Sequence, residues 1–254
     1  MNKVVAKTRL DQALVARRFY PARARARDAV LRGTVSVNGI IILKPATEIT
    51  AQDVVEISDG AARYVSRAAL KLVSALDHFD LDPAGKIALD IGASTGGFSQ
   101  VLLERGAAKV HAIDVGHGQI HPNISGSPRV VSTEGLNARD LTLDDLGYDE
   151  PEFVVCDASF ISLKLVLPPA LDLAVEGAFG VFLIKPQFEV GRDGIAKDGL
   201  LKNAEDGPRM ATELEHWLNA ETEWQSLGLA PSPLEGGDGT QEYLLAAQKR
   251  VDDE

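Results

Sequence analysis

The sequence predicts an α/β chain in which a doubly wound, mostly parallel sheet follows a small α+β module. Three observations carry this. Short apolar runs of the kind buried inside parallel sheets (IALDIG, HAIDVG, FVVCD, FGVFLIK) alternate with helical segments from residue 87 onward. A Gly-rich turn, LDIGASTGGFSQ at 89–100, follows the first of them. The charge is also unevenly divided. Residues 1–64 hold 11 Lys and Arg against 6 Asp and Glu, a net of +5 inside a chain of net charge −11, which leaves −16 on the remainder. A basic module beside an acidic body is the pattern of a nucleic-acid-binding part attached to another function.

In chain order, Thr8 is placed to cap a helix carrying Leu10, Ala13 and Leu14. Pro21 opens a second helix, PARARARDAVLR, which Gly33 stops. Arg23 and Arg27 share one face of it, and Arg25 points elsewhere. Asn38-Gly39 joins two apolar runs as a hairpin, and 53–57 adds a strand. Residues 61–67 form the junction between a module at 1–60 and a domain at 68–254. The helix SRAALKLVSALDHF follows, with Leu70, Val73, Leu76 and Phe79 at helical spacing and Lys71 off that face. Beyond the alternating units, an acidic loop (140–150), a helix near 165–175, a helix through GPRMATELEHWLNA and a last strand, EYLLAAQ, complete the chain. Trp217 and Trp224 are expected to pack a helix.

Several functions are excluded or weakened by composition. The longest apolar stretch, FGVFLI, falls far short of the roughly 20 residues that span a bilayer, so no membrane partner is expected. The opening lacks the charged and apolar regions of a secretory leader. The lone Cys156 rules out a disulfide framework and fits a reducing, cytoplasmic setting. His117 and His121 lie four apart without an evident third ligand, so no metal site is expected.

Ligands of an open α/β sheet bind beyond the carboxyl ends of its strands. Lys185, at the end of VFLI, Asp157, at the end of FVVC, and the Gly-rich turn should therefore meet in one crevice. In that turn Asp90, Gly92, Ala93, Ser94, Gly96 and Gly97 form D-x-G-x-S-x-G-G, where glycines admit a ligand close to the backbone. Neither G-x-G-x-x-G nor a P-loop GK[ST] occurs, which argues against nicotinamide enzymes and NTPases. About 20 residues on, Asp114 ends the next strand, where an acid commonly takes ribose hydroxyls. The turn with Asp114 resembles that of S-adenosylmethionine-dependent methyltransferases, which implies S-adenosyl-L-methionine as cofactor.

Lys71, Asp157, Lys185 and Glu242 stand out as candidate catalytic groups. A ribose hydroxyl is a poor nucleophile at neutral pH, so methylating it needs a base or cation that favours its alkoxide. Lys185 is suited to that role, with Lys71 as a second cation and the two carboxylates orienting the ammonium groups.

The residues 8–59, through RLDQAL, RxxAxxxVxxGxVxVNG and KP, resemble an S4 RNA-binding domain, with Ala22 where Ser is frequent. Arg9, Arg23, Arg27, Lys44 and, beyond the module, Arg67 are its candidate RNA contacts. From Tyr64 to Tyr243 the chain resembles the FtsJ-type ribose 2′-O-methyltransferases, through YVSRAALKL, CDASFISL, LIKPQFEVGR and GDGTQEYLL. The combination resembles the haemolysin-A (TlyA) family of ribosomal RNA methyltransferases. It implies that Lys71, Asp157, Lys185 and Glu242 fill a Lys–Asp–Lys–Glu tetrad. Gly92, Ser94, Gly96, Gly97 and Asp114 would then hold the cofactor, with Asn137 near the adenine, and cytidines of ribosomal RNA or ribosomal subunits would be the substrate. Ala68-Ala69 replaces a usual Gly-Gly, LKN at 201–203 a usual VRD, and Thr240 a usual Asn; none touches the tetrad.

Other chemistries stay open at this point. Base-amino methylation often uses [DN]PP[YF], where this chain has DASF. Methylation at a pyrimidine carbon needs a cysteine, and Cys156 is expected to face the core. A non-catalytic assembly factor and a pore-forming cytolysin are the remaining alternatives.

Overall fold

The computed structural model describes residues 7–236 and 239–251. The chain folds as two compact units, with the boundary between Arg63 and Tyr64.

The first unit packs two helices on short strands. β1 (Thr8–Arg9) leads directly into α1 (Leu10–Ala16), and α2 (Arg23–Leu31) follows. β2 (Val35–Val37) and β3 (Ile40–Ile41) form the hairpin, closed by Asn38 and Gly39, both at positive φ. β4 (Glu48–Ile49) pairs with β1, and β5 (Val55–Ile57) pairs with β2. Leu10, Leu14, Ala26, Val30, Val35 and Ile49 close the core. Thr8 is not a helix cap: it sits in the β1–β4 ladder opposite Ile49, and Arg9 takes the capping position without a side-chain hydrogen bond.

The second unit begins with α3 (Ala69–His78), then β6 (Ile87–Ile91), α4 (Gly97–Glu104), β7 (Lys109–Asp114), α5 (Pro122–Ser125) and β8 (Val130–Glu134). β9 (Phe153–Cys156), α6 (Leu163–Val166), α7 (Pro168–Leu173), β10 (Phe179–Ile184) and α8 (Pro186–Glu189) come next. The unit ends with α9 (Asp206–Glu221), β11 (Trp224–Pro231) and β12 (Tyr243–Lys249). The seven strands lie in the order β11-β12-β10-β9-β6-β7-β8. All neighbours are parallel except β12, which runs antiparallel to β10 and β11. Successive side chains of a strand face opposite layers. Phe153 and Val155 join the core under α3 and α4, and Val154 and Cys156 join the one with α6, α7 and α9.

Four expectations need correction here. The buried face of α3 is Ala69, Leu72, Ala75 and Leu76, and Lys71 is buried with it. β11 is a full strand with no counterpart among the elements expected from the sequence. Trp224 lies on it, packing its ring against Phe182 and donating Nε1–H to the Leu171 carbonyl, so it packs the sheet. The 140–150 segment is no plain exposed loop: Leu141 and Leu146 are buried, and Asp149 accepts from Lys109 and pairs with His111.

Candidate active site

Topology delivers the four ionisable groups to one edge. Asp157 follows β9 and Lys185 follows β10, both at carboxyl ends of parallel strands. The reversed direction of β12 brings its amino end to the same edge: Tyr243 pairs with Ile184, so Glu242 lies beside Lys185. Lys71, in α3, forms a buried ion pair with Glu242 across 171 residues of sequence. The Lys185 ammonium donates to the Ser159 hydroxyl at 2.8 Å and the Asp157 carbonyl at 3.1 Å. It stands 2.6 Å from Asp157 Oδ1, a close ion pair, although that oxygen accepts no hydrogen bond of ordinary geometry. Burial raises the Glu242 carboxyl above its ordinary range, against the pull of Lys71 and, more weakly, Lys185. Lys71, Lys185, Asp157 and Glu242 all line one hollow of about 480 Å³, with Ser66 and Arg67.

A second cleft, of about 550 Å³, contains Gly92, Ser94, Asp114, Gln119 and Asn137, and shares Asp157, Ser159 and Phe160 with the first. The turn that forms it is backbone-limited. Gly92 sits at φ +77°, and a Cβ there would come within 3.0 Å of the Ala158 backbone. Gly97 has a similar restriction, since a Cβ would lie 2.8 Å from that of Ser66. Ser94, itself at φ 48°, donates its N–H to Asp114 at 2.8 Å, and Gly116 donates to the other Asp114 oxygen at 2.7 Å. Ala93 and Gly92 both donate to the Ile113 carbonyl, tying the turn to β7. Asn137 caps a short 3₁₀ turn by accepting from Arg139 N–H. Asp90 is fully buried on β6, accepts from Ser99 at 2.6 Å, and keeps one carboxyl oxygen without a partner. Burial pushes its carboxyl up to about 7, reinforced by the neighbouring charge of Asp157. Three carboxyl groups, of Asp90, Asp114 and Asp157, thus border or underlie the cleft, a donor set that fits a ligand carrying both a cation and ribose hydroxyls.

Cys156 is buried, and its thiol is pushed up to about 12, which suits a core residue and not a nucleophile. His121 accepts from Asn123 N–H as the cap of α5.

In the first unit, the RNA candidates divide. Arg9 and Arg23 both bind the buried Asp11: Arg9 through two hydrogen bonds of 3.0 Å, Arg23 through one of 2.8 Å. Arg27 and Lys44 are exposed, and Arg67, on the second unit, is half-buried in the wall of the Lys71 hollow. Arg17 and Arg32 are structural, holding carbonyls of Thr50 and Asp53 and the carboxylates of Asp28 and Asp59.

Sequence reasoning missed Asp11, Ser159 and Phe160. Phe160 is 88% exposed at φ 65°, a strained conformation for an aromatic residue, with its ring 5.1 Å from that of Phe188. Its only signal in the sequence is an aromatic residue three positions after a strand-ending acid.

Residues 64–249 match the FtsJ-like methyltransferase model and residues 8–55 the S4 domain model. The chain belongs to the FtsJ-like methyltransferase family. It is 40% identical to the 16S/23S rRNA (cytidine-2′-O)-methyltransferase TlyA of Mycobacterium tuberculosis, over 97% of this chain and 91% of that one. It is 36% identical to Hemolysin A of Brachyspira hyodysenteriae, over 93% and 98% respectively. A protein of Streptococcus thermophilus, solved under a hemolysin name, superposes with a TM-score of 0.75 at 34% identity, covering 98% of this chain and 90% of that one. The α/β fold with a largely parallel central sheet and the S4 module are as the sequence led one to expect.

Proposed function

We propose that this chain transfers a methyl group from S-adenosyl-L-methionine to a ribose 2′-hydroxyl of ribosomal RNA, with cytidine as the nucleotide. One observation carries the reading: two lysine–carboxylate pairs, Lys71–Glu242 and Lys185–Asp157, share a hollow that opens onto the Gly-rich cleft through Asp157. The names of the Mycobacterium tuberculosis relative and of one from Campylobacter jejuni support the substrate.

Gly92, Ala93, Ser94, Gly96 and Gly97 would hold the cofactor against the backbone, Asp114 its ribose, and Asn137 the neighbourhood of its adenine. When bound, that cofactor supplies an electrophilic methyl group. Lys185, fixed by Asp157 and Ser159, places positive charge where the 2′-oxygen sheds its proton and so favours the alkoxide. Lys71 adds a second cation within the same hollow, and Glu242 keeps it there, so neither lysine can swing out to solvent. Burial strengthens both effects, since charges act over a lower effective dielectric. Arg27 and Lys44, both exposed, supply phosphate contacts that position RNA without reading its sequence; Arg9 and Arg23 add charge while paired to Asp11, and Arg67 supplies a contact at the wall of the Lys71 hollow. The protein acts in the cytoplasm, where its substrate is made; no helix among the described residues is long and apolar enough to cross a membrane.

Ribose-methylation maps of ribosomal RNA test this, comparing cells with the wild-type gene, without it, and with Lys185→Ala. Specific 2′-O-methyl cytidines should be present in the first and absent from the other two. Identical maps in the first two would overturn the reading, and a map restored by Lys185→Ala would overturn the role given to Lys185.

A further inference from the structure

Beside the hollow that holds Lys71, Lys185 and Glu242 lies another, of about 690 Å³. The two share a wall, because Phe160, Gln187 and Phe188 line both. Phe160 and Phe188 stand in that wall with their ring centroids 5.1 Å apart and their planes tilted by 47°. The lining of the larger hollow is otherwise largely apolar, with Ile195, Leu165, which is 58% exposed, and Ile161, which also borders the cofactor cleft.

Two guanidinium groups, of Arg139 and Arg192, border this space. Both are exposed, and among the described residues neither side chain has a hydrogen-bond or ion-pair partner. That sets them apart from other arginines of the same unit. Arg209 binds Asp206 and Glu213, Arg105 binds Asp77, and Arg129 and Arg250 bind carbonyls. Asp140 and Asp193 adjoin the two arginines in sequence without pairing to them. The nearby Glu189 is already occupied, accepting from Ser162 Oγ and Leu163 N–H. Within a body of net charge −16, two unpaired guanidinium groups at the rim of an apolar hollow suit an anionic ligand with flat apolar surface. A nucleotide has both: its base packs on aromatic and aliphatic side chains, and its phosphate pairs with arginine.

We propose that this second hollow takes the nucleotide next to the methylated one on the same strand. Its base lies against Phe188, Leu165 and Ile195, and its phosphate meets Arg192 and Arg139. The inference rests on the RNA methylation proposed above and deepens it. The shared wall makes the occupants neighbours: consecutive bases splayed from a strand would sit on either side of the aromatic pair. The groove therefore fixes which ribose reaches Lys185.

Arg192→Ala and Leu165→Ala test it with purified full-length protein and ribosomal subunits. Arg139 is left out because it also borders the cofactor cleft. Each variant should raise KM for RNA about tenfold, the effect of losing one base or phosphate contact, with kcat and cofactor affinity within about twofold of wild type. Leu165→p-benzoylphenylalanine should photo-crosslink to the nucleotide directly adjoining the methylated one. Unchanged KM in both variants, or crosslinks only to nucleotides remote from the target, would overturn the inference while wild-type methylation stands. A wild-type protein that methylates no RNA would instead overturn the parent reading, and this one with it.

Discussion

Glu242→Ala isolates what the buried pair does. Lys71 and Glu242 are 5% and 2% exposed, and each is the other's ion-pair partner. Removing the carboxylate leaves an ammonium group buried beside a second lysine, a loss of about 3–5 kcal/mol for a broken buried pair. For a unit of this size, each kcal/mol moves the melting temperature by about 2–4 °C, so Glu242→Ala should melt about 6–20 °C lower. Removing both partners, as in Lys71→Met/Glu242→Leu, deletes the unmatched charge and restores most of that stability, because a buried pair is worth little more than well-packed apolar groups. Methyl transfer should behave differently. It should fall by about 10²–10⁴ in the single variant and stay low in the double. Thermal melts and labelled-methyl transfer on the same three preparations read both quantities. A Glu242→Ala protein melting within about 2 °C of wild type, or a double variant regaining activity, would refute the reasoning.

Three further outcomes are expected. Gly92→Ala should bind S-adenosyl-L-methionine at least tenfold more weakly by calorimetry, since its Cβ would press the Ala158 backbone at 3.0 Å and force a strained φ. The Asp90 carboxyl, raised to about 7 from an ordinary value near 3.8, contributes stability that is complete below about pH 4 and lost as pH rises through 7. The full swing is about 4 kcal/mol, and Asp90→Asn should flatten it in denaturant melts of cofactor-free protein across pH 4–8. Cys156→Ala should retain methyl transfer within about threefold, and the wild-type thiol should resist iodoacetamide at pH 8 until the protein is unfolded, as its burial dictates.

The strands that lead to Asp114, Asp157 and Lys185 can be read directly, because buried parallel strands leave uninterrupted apolar runs and a polar residue marks each exit. β11 cannot. WQSLGLAP contains Gly228, a bulge between Ser226 and Gly228, and an exposed Leu227, so neither alternation nor a continuous apolar run appears. Helical spacing puts Lys71 on the wrong face because it ranks leucine as buried and lysine as exposed. Only a partner 171 residues away makes its burial tolerable. Asp11 is illegible for the same reason: a carboxylate that is 1% exposed requires Arg9 and Arg23, and periodicity carries no information about pairing. Thr8 shows the converse error, a good local cap overridden by a two-residue ladder to Glu48–Ile49. Phe160 has a backbone conformation set by its loop, which composition does not reveal.

The decisive atom is the 2′-oxygen, with the charges of Lys185 and Lys71 gathered around it. Purified protein, labelled S-adenosyl-L-methionine and ribosomal subunits, followed by digestion to nucleosides, locate the transferred methyl group. Label is expected in 2′-O-methylcytidine with wild-type protein and nowhere with Lys185→Ala. Label on a nucleobase, or undiminished transfer by Lys185→Ala, would contradict it.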